Sequence, residues 1–435
     1  MRRVLRSSAL LLTALSAVAV SGCGGGSGTT DVLGGEGWRG VHSDSRNSAT
    51  VQTPGERDLA FDWSRPLGGP AVASPTVASN GQIFLTARTE TGCNVFSFQI
   101  ASERKRWCTR LEPGTTDAAP VVDAVANSYI GDGNEMRSYT EYGQVRWRTP
   151  VLGSPVSSQF TGDGNVLVVT HLGQVQVLDP QTGFNVAPPL DLVPVTGDDV
   201  PVPAPGEGMD ACFYGTDGCP VTSTPAVDLA SGRIYVTVFS PGDEAPHIVA
   251  LTYTGGSDAV LREDWSSDAL PTGPSSNPVV SADGATLYVQ DRDGALWALD
   301  TTDGSARWSH DLGYVPGSGP AVTADGLIVP AGGDEGTLTA LRDAGDHAEP
   351  VWERPEVAQV GVPALTDDAT GYTVVADGDG LALATFDTHT GETVSHAALP
   401  GAGGFTVGTA VGPQGQVVTA TQLGEVFVFA PRDEQ

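Results

Sequence analysis

Acidic residues and histidines are the first side chains in this sequence whose spacing could support chemistry. Two segments, Asp291-Arg-Asp293-Gly294 and Asp377-Gly-Asp379-Gly380, carry alternating carboxylates like those of a calcium loop. Both also lie where a tight turn is expected, and we favour structural turns in which Asp accepts backbone N–H groups. The seven histidines show no paired metal spacing, and the sequence has no Gly-x-Ser-x-Gly or His-Glu-x-x-His motif. The sequence therefore predicts no catalytic residue, no cofactor and no metal site.

The N-terminus has the features of an export signal. Three arginines precede the apolar run Ala9–Val20, which is too short to span a membrane comfortably. The following Val20-Ser21-Gly22-Cys23 resembles the lipobox of bacterial lipoproteins, in which the cysteine receives diacylglycerol and becomes the new N-terminus. We expect a signal peptide over residues 1–22 and a lipid-anchored flexible tether over residues 23–37. An ordinary secretory signal with an incidental cysteine is the alternative.

The other four cysteines form an even set, as expected in an oxidising compartment. Cys93 and Cys108 flank one predicted hairpin, and Cys212 and Cys219 close a short loop. We predict one disulfide within each pair, with free thiols as the alternative. Neither pair has the spacing to histidine that a zinc site requires.

The composition excludes one class of partner. The formal net charge is −30 at pH 7, which argues against binding to nucleic acid or to anionic lipid headgroups by charge. A solvated acidic surface is the simplest interpretation, and a basic partner or a calcium site is the alternative. The 56 glycines and 31 prolines, without helical patterns after the signal peptide, indicate an all-β protein with many turns.

A hairpin between Gly294 and Trp308 is the element that organises the chain. Residues 295–300 alternate as a buried strand does, Asp300 opens a turn, and Gly304 supplies the positive φ that closes it. The chain then returns to Trp308, a large anchor on the partner strand. Equivalent tryptophans recur, each followed by a proline that opens an apolar run; they are Trp63, Trp107, Trp147, Trp265, Trp308 and Trp352.

The period of this repeat predicts a β-propeller. Successive proline motifs lie 35 to 53 residues apart, except for 70 residues between Pro155 and Pro225. We expect a single propeller over residues 38–435 with eight four-stranded blades, and seven as the alternative. The last blade lacks a fourth strand, and Leu59–Arg65 has no earlier strands of its own. We therefore expect this N-terminal strand to complete the last blade and close the ring.

The long interval contains an insertion, residues 187–220, rich in proline and acidic residues. In a propeller, the links between blades and the turns between second and third strands share one face, so the insertion would stand beside loops of the kind that bind partners. A tolerated surface excursion is the alternative. Its carboxylates favour a basic partner; they include Asp191, Asp198, Asp199, Glu207 and Asp210.

The repeat Gly-x-Leu-x-Ala-Leu-Asp-x-x-x-Gly-x-x-x-Trp resembles that of the pyrroloquinoline-quinone (PQQ)-like propellers. The segment from Trp38 to Ser48 is similar to the lead-in of the same superfamily. The resemblance spans Trp38 to Ala430 and implies the fold. The superfamily includes quinoprotein dehydrogenases and the propeller lipoprotein of the outer-membrane barrel-assembly machinery, a non-enzymatic scaffold. A lipobox followed by one propeller is more similar to the latter.

The dehydrogenases imply features that this sequence lacks. Their quinone lies between a tryptophan and a disulfide of adjacent cysteines, near calcium and a catalytic Asp, and here there is no Cys-Cys dipeptide and no Cys-x-x-Cys-His haem site. The tryptophans stand at the repeat position, where packing between blades explains them. We therefore expect a non-enzymatic monomer, exported and anchored through Cys23 to the cell membrane or outer membrane. It would bind envelope proteins, and the 187–220 insertion is a candidate contact. The alternative function is that of a quinone-dependent dehydrogenase or another ligand-binding or enzymatic propeller.

Overall fold

The fold consists of β-strands almost throughout. The structure, a computed structural model, describes residues 32–112, 119–193, 219–221, 223–240 and 242–432, together with Glu207 and Cys212. In these ranges the chain forms 33 strands and one 3₁₀ turn, Ile100–Ser102. Among the same residues, no helix is long and apolar enough to cross a bilayer.

Each blade is an antiparallel meander that runs from an innermost to an outermost strand. Blade 1 contains β3 (Thr76–Val77), β4 (Gln82–Thr86), β5 (Val95–Gln99) and β6 (Arg104–Thr109), and blade 2 contains β7 (Val121–Val122), β8 (Ser128–Asp132), β9 (Glu135–Tyr139) and β10 (Val145–Pro150). Blade 3 contains β11 (Pro155–Phe160), β12 (Val166–Thr170), β13 (Gln174–Leu178) and β14 (Leu190–Asp191), and blade 4 contains β15 (Ala226–Asp228), β16 (Arg233–Val238), β17 (His247–Thr254) and β18 (Val260–Ser267).

Blades 5 to 8 follow the same plan, with two strands supplied by the N-terminal region. Blade 5 contains β19 (Val279–Val280), β20 (Thr286–Gln290), β21 (Ala295–Asp300) and β22 (Ala306–Asp311), and blade 6 contains β23 (Ala321–Val322), β24 (Leu327–Val329), β25 (Thr337–Asp343) and β26 (Ala348–Ala358). Blade 7 contains β27 (Ala364–Thr366), β28 (Thr370–Asp377), β29 (Gly380–Asp387) and β30 (Thr393–Leu399), and β1 (Thr50–Val51) pairs parallel with β27. Blade 8 contains β31 (Thr406–Val411), β32 (Val417–Thr421), β33 (Glu425–Pro431) and, as its outermost strand, β2 (Leu59–Pro66).

The ring has eight blades, as predicted, and its two ends meet in blade 8. Strand β2 pairs antiparallel with β33, from Leu59 opposite Pro431 to Pro66 opposite Glu425. The innermost strands of blades 8 and 1 are also in contact. Because β2 covers the outer edge of β33, the last strand of the chain is not left as an open sheet edge.

The repeated Asp and Gly of the sequence build the turn between the third and fourth strands. The Asp300 carboxylate accepts the N–H of Thr302 at 2.8 Å, and the N–H of Gly304 donates to the Asp300 carbonyl at 2.8 Å. Gly304 has φ 73°, and a Cβ there would lie 2.6 Å from the Trp265 ring of the preceding blade. Glycine is therefore required at this turn both for its backbone conformation and for the close approach of a tryptophan.

The repeat tryptophans connect neighbouring blades. Each indole N–H donates to an oxygen in the turn between the third and fourth strands of the next blade, so the ring lies across the boundary between two sheets. The acceptors are Ile100 O for Trp63, Glu141 O for Trp107, Pro180 O for Trp147, Thr301 O for Trp265, Asp343 Oδ1 for Trp308 and Thr388 O for Trp352, at 2.8 to 3.2 Å. We call these six boundaries the tryptophan seams.

Two of the eight boundaries lack a tryptophan because β14 and β30 do not contain one. At the boundary of blades 3 and 4, an apolar cluster takes its place, and it includes Ala187 and Val193 of the predicted insertion and Val221 just after its end. At the boundary of blades 7 and 8, Leu399 and Val418 join the largest apolar cluster of the molecule. Apolar burial therefore takes the place of the indole at these two points. At the first of them the Tyr253 hydroxyl also donates to Asp163 at 3.0 Å and accepts from Asn165 at 3.2 Å.

Candidate functional site

The axis of the propeller is filled by the segment that precedes the first blade. We call residues 38–51 the axial plug. Carbonyl groups of the plug accept N–H groups from the innermost strands of six blades, at 2.6 to 3.1 Å; the pairs are Trp38 with Val77, Arg39 with Val122, Ser45 with Val227, Arg46 with Val280, Ser48 with Val322 and Ala49 with Leu365. A side-chain bond from Gln159 to Asn47, 2.8 Å long, adds blade 3.

Asn47 lies at the centre of the plug and is fully buried. Its side-chain N–H₂ donates to the carbonyls of Pro225 and Pro278 at 3.2 and 2.9 Å, which tie blades 4 and 5 to the axis. Asn47 has φ 61°, and Ser43 and Ala49 in the same segment also have positive φ. Non-glycine residues adopt this region at a cost of about 1–3 kcal/mol each, so the surrounding hydrogen bonds must hold the plug in place.

Asp44 fixes the local shape of the plug. One carboxylate oxygen accepts the N–H groups of Arg46 and Ser48, both at 3.0 Å, and the other accepts the Ser48 hydroxyl at 2.9 Å. The Arg46 guanidinium also pairs with this carboxylate at 3.1 Å. Both carboxylate oxygens of Asp44 are therefore occupied by contacts within this turn.

A funnel with a volume of about 390 Å³ opens above the plug, on the face that carries the links between blades. We call it the axial funnel. Residues just before the repeat prolines line its wall, because each proline begins or immediately precedes an innermost strand at this end of the axis. They include Ser74, Ala119, Thr224, Asn277 and Val362. The described lining contains hydroxyl, amide and apolar side chains, Phe405 and Cys212 among them, and no charged side chain.

His42 lies beneath the funnel and is 2% exposed. Its Nε2 is 2.7 Å from the Asn277 amide nitrogen and 3.1 Å from the Ser318 hydroxyl. Burial lowers the pKa of His42 to about 4, against a smaller raising effect of Asp44. The imidazole is therefore neutral at pH 7. Since the Asn277 amide N–H can only donate, Nε2 accepts that bond and is not free to act as a base.

The predicted insertion begins inside blade 3 and reaches the funnel. Residues 190–191 are strand β14, paired with Gln174 and Val175, so this part completes the blade. Cys212 lines the funnel and forms the predicted disulfide with Cys219, with Cα atoms 5.0 Å apart. Val221 then donates its N–H to the carbonyl of His171 in blade 3. Residues 194–206, 208–211 and 213–218 lie outside the described residues.

The other predicted positions fall in three groups. Cys93 and Cys108 form the second predicted disulfide, with Cα atoms 5.8 Å apart at the outer part of blade 1. The six tryptophans lie at the seams, far from the axis. Cys23, the signal peptide and residues 23–31 lie outside the described residues.

The acidic turns singled out in the sequence form internal contacts. The Asp291 carboxylate accepts the N–H groups of Asp293 and Ala295 and the Trp297 indole N–H, at 2.7 to 3.0 Å. Asp377 and Gly380 face each other across the β28–β29 turn. Within the described ranges, no three His, Cys, Asp or Glu side chains are grouped to hold a metal ion. These contacts agree with the interpretation of the acidic segments as turns.

The funnel does not fit the quinone cofactor that the fold class implies. PQQ carries carboxylates, and the described lining has no arginine or lysine to pair with them and no acidic residue to hold calcium. The disulfide at the rim joins Cys212 to Cys219 and is not formed by adjacent residues.

Sequence reasoning missed the plug and the funnel lining. In the sequence, the lead-in is distinguished only by its resemblance to a superfamily, and the residues before the prolines only by their place in the repeat. The second group carried a usable signal: if each proline starts an innermost strand, the residue before it must lie near the axis.

No protein-family model matches the chain. The chain is 39% identical to Protein Rv3035 of Mycobacterium tuberculosis (strain ATCC 25618 / H37Rv) over 418 residues, which is 95% of this chain and the whole of that protein. Solved structures share the fold at low identity. BamB from Moraxella catarrhalis is 18% identical with a TM-score of 0.51, covering 86% of this chain and 99% of its own.

Two dehydrogenases are also similar in fold. The quinohemoprotein alcohol dehydrogenase of Comamonas testosteroni is 14% identical with a TM-score of 0.63, covering 92% of this chain and 82% of its own. A europium-containing methanol dehydrogenase is 14% identical with a TM-score of 0.61, covering 91% and 98%. The chain belongs to the family of Protein Rv3035, and its fold is that of the PQQ-like repeat propellers.

Proposed function

We propose that this chain is a non-catalytic protein-interaction scaffold of the cell envelope, exported and anchored through Cys23. The observation that carries the proposal is the closed axis. The plug bonds to seven blades, so the channel serves to hold the ring together, and the funnel above it offers a rim for contacts. A rigid ring that presents loops on one face is suited to holding a partner.

The chemistry of the funnel supports a non-catalytic role. General acid–base catalysis requires a group that can exchange a proton near neutral pH, and no described side chain lining the funnel is charged. His42, beneath it, has a pKa lowered to about 4 and an occupied Nε2. We expect the purified protein not to bind PQQ and not to oxidise alcohols with a dye acceptor in the presence of calcium. Stoichiometric quinone binding with turnover would favour the dehydrogenase alternative.

The partner is expected on the funnel face. The segment between β14 and β15 reaches the rim at Cys212 and carries acidic residues, which favour a basic surface on the partner. Attraction between exposed charges weakens as salt is added, because the Debye length falls from about 10 Å at 0.1 M to about 3 Å at 1 M. Binding of the partner should therefore weaken as salt rises.

A pair of equally exposed positions on opposite faces tests this placement. Leu423, in the turn between β32 and β33, is on the funnel face, and Phe184, in a turn between third and fourth strands, is on the other face; they are 74% and 75% exposed. A photo-crosslinking amino acid at position 423, in cells, should yield one discrete envelope-protein adduct, and at position 184 it should not. Equal adducts from both positions, or none from either, would contradict the proposal.

The anchor has a separate test. Because Cys23 is the residue that would receive the lipid, Cys23→Ser should move the protein from the membrane fraction to the soluble or secreted fraction. Unchanged fractionation would remove the anchor from the proposal and leave the funnel-face contact to be judged by crosslinking.

A further inference from the structure

The face opposite the funnel carries three strongly exposed apolar or aromatic side chains, which we call the apolar tips. They are Val125, Tyr142 and Phe184, at 52%, 65% and 75% exposure. Among the described residues, Leu423 on the funnel face is the one other large apolar side chain that is more than half exposed. Val125 and Tyr142 are in the two turns that blade 2 presents on this face, and Phe184 is in the β13–β14 turn of blade 3. The tips therefore belong to two consecutive blades.

The turns that carry the two aromatic tips are held in place by the tryptophan seams. A seam tryptophan donates to the carbonyl of Glu141, beside Tyr142, at 2.9 Å. Another donates to the carbonyl of Pro180, in the turn of Phe184, at 3.0 Å. An exposed ring on a fixed support loses little conformational freedom when it is covered, so these turns are suited to docking.

The described chain enters the propeller between the same two blades. Val32 is buried, and its carbonyl accepts the N–H of Ala124, the neighbour of Val125, at 3.3 Å. On the side of blade 3, a Cβ at Gly164 would lie 3.4 Å from Val32. Cys23 lies nine residues before Val32, and nine fully extended residues span at most about 30 Å. A lipid on Cys23 would therefore keep this part of the face close to a bilayer.

Three cations lie beside the tips. Strand β6 begins at this face with Arg104, Lys105 and Arg106, which are all exposed. The Arg106 guanidinium is 5.7 Å from the centre of the Tyr142 ring. In the part of the chain that the structure describes, no carboxylate pairs with Arg104 or Lys105. These two charges are therefore available to an anionic partner.

The rest of the face has the opposite charge. The two carboxylates nearest the cations are paired, Glu103 with Arg65 at 3.5 Å and Glu141 with Arg106 at 3.9 Å. The corresponding turns of blades 4 to 7 carry exposed aspartates; they are Asp258, Asp283, Asp303, Asp325, Asp346 and Asp367. The net charge of −30 argues against binding to anionic lipid for the chain as a whole, but it is unevenly distributed on this face. Only blades 1 to 3 combine apolar tips with unpaired cations.

We propose that the apolar tips and Arg104–Arg106 dock on the surface of the phospholipid bilayer that holds the lipid anchor. Aromatic side chains are favoured at the membrane interface, where the ring meets the boundary between headgroups and acyl chains. Lys and Arg near the surface are attracted to anionic headgroups. The docking surface rests on the proposed anchor at Cys23 and adds an orientation to it, in which the funnel face points away from the bilayer.

Lipid crosslinking tests the orientation. Purified lipidated protein with a photo-crosslinking amino acid at position 184 or 423 is reconstituted into vesicles of phosphatidylcholine and phosphatidylglycerol. The two positions are equally exposed, and we expect phospholipid adducts to be at least about fivefold more abundant at 184. Equal adducts at the two positions, more at 423, or a discrete protein adduct at 184 in cells would overturn the proposal. The mass of the same protein shows separately whether Cys23 carries a lipid.

Vesicle sedimentation of the exported Cys23→Ser protein tests the surface without the anchor. Tyr142→Ser with Phe184→Ser should lower the partition coefficient at least about fivefold, whereas Leu423→Ser with Val315→Ser, on the funnel face, should lower it less than about twofold. All four positions are exposed, so the variants should fold as the natural chain does. No binding at any lipid concentration, or equal losses in the two pairs, would overturn the docking surface.

The charge of the vesicle tests the cations. Arg104→Gln with Lys105→Gln should weaken binding to vesicles that contain phosphatidylglycerol and leave binding to pure phosphatidylcholine unchanged. Equal effects on both kinds of vesicle would remove the cations from the surface. Docking without the anchor is weak and reversible, in keeping with the soluble fractionation expected of Cys23→Ser. A protein without the lipid that still binds vesicles through Tyr142 and Phe184 would keep the docking surface and lose the anchor, and a lipidated protein with equal adducts at 184 and 423 would do the reverse.

Discussion

The tryptophan seams and the axial plug hold the same blades together by different means. A seam uses one indole ring and one N–H, and the same device occurs at six boundaries. The plug uses backbone carbonyls of a segment that occurs only once in the described chain. Its residues are spaced so that successive carbonyls accept N–H groups from successive blades. Two boundaries exist without a tryptophan, so the ring does not need every seam. The plug has no duplicate, and we expect its loss to be the more damaging.

Removal of the plug is the strongest test of this difference. A chain beginning at residue 52 loses the bonds to seven blades and the fully buried Trp38. At about 1 kcal/mol per hydrogen bond and about 3–5 kcal/mol for the tryptophan, we expect the free energy of unfolding to fall by more than about 5 kcal/mol. Urea denaturation followed by fluorescence measures this. A chain beginning at residue 32 is the control and should unfold as the full chain does.

Loss of a single seam should be less damaging. Trp147 is 7% exposed and donates to Pro180 O, so Trp147→Ala should lower the free energy of unfolding by about 3–5 kcal/mol. Trp147→Phe keeps most of the ring and should cost about 1 kcal/mol for the lost bond. Phe184→Ala, at an exposed position next to the same turn, is the control, with an expected change within about 0.5 kcal/mol. A loss for Trp147→Ala as large as that for plug removal would mean that the two devices do not differ in redundancy.

The same difference explains how much the sequence predicts. The ring could be predicted because Asp300, Gly304 and Trp308 act over a few residues and their pattern recurs at a propeller period. The plug could not be predicted in this way. Its residues are unique, Ser43 and Asn47 adopt positive φ without being glycine, and the bond from Asn47 to Pro278 joins residues 231 positions apart. Contacts of that kind leave no periodic pattern in the sequence.

The funnel was predictable only in part. The sequence places Ser74 and Thr224 before repeat prolines, which fixes their position near the axis once the propeller is assumed. It does not reveal that Ser276 and Thr406 lack partners, because partners are decided by the packing of separate blades. Within the insertion, Cys212 lies at the funnel, on the expected face. Strand β14 could not be predicted, since Pro188 and Pro189 interrupt the pattern just before it.

Acidification should lower the free energy of unfolding through His42, which lies at the axis. The pKa of His42 is lowered to about 4 in the folded protein and lies near 6.5 in the unfolded chain. Between these values the unfolded chain takes up a proton and the folded protein does not, so stability present above pH 6.5 is lost as pH falls towards 4. From pH 7 to pH 5 this amounts to about 2 kcal/mol. Urea titrations at both pH values should show this difference in the natural chain relative to His42→Gln, and parallel losses in the two proteins would contradict it.

The smallest effect on stability is expected at the boundary of blades 3 and 4, where an apolar cluster takes the place of a tryptophan. Replacing residues 194–218 with a short Gly/Ser link, together with Cys219→Ala, leaves β14 and the cluster residues Val193 and Val221 in place. Because loop length changes closure entropy slowly, we expect the free energy of unfolding to change by less than about 1 kcal/mol.

A longer replacement gives the matched comparison. Replacing residues 187–220 removes β14 and the buried Ala187 and Val193, so it should cost several kcal/mol, as the loss of a seam does. Both replacements should abolish the adduct at position 423, since both remove the segment proposed to meet the partner. If the short replacement unfolds the ring, the segment is part of the boundary and not an addition to it. If the shortened protein folds and still forms the adduct, the partner contacts the ring itself and the segment has no part in binding.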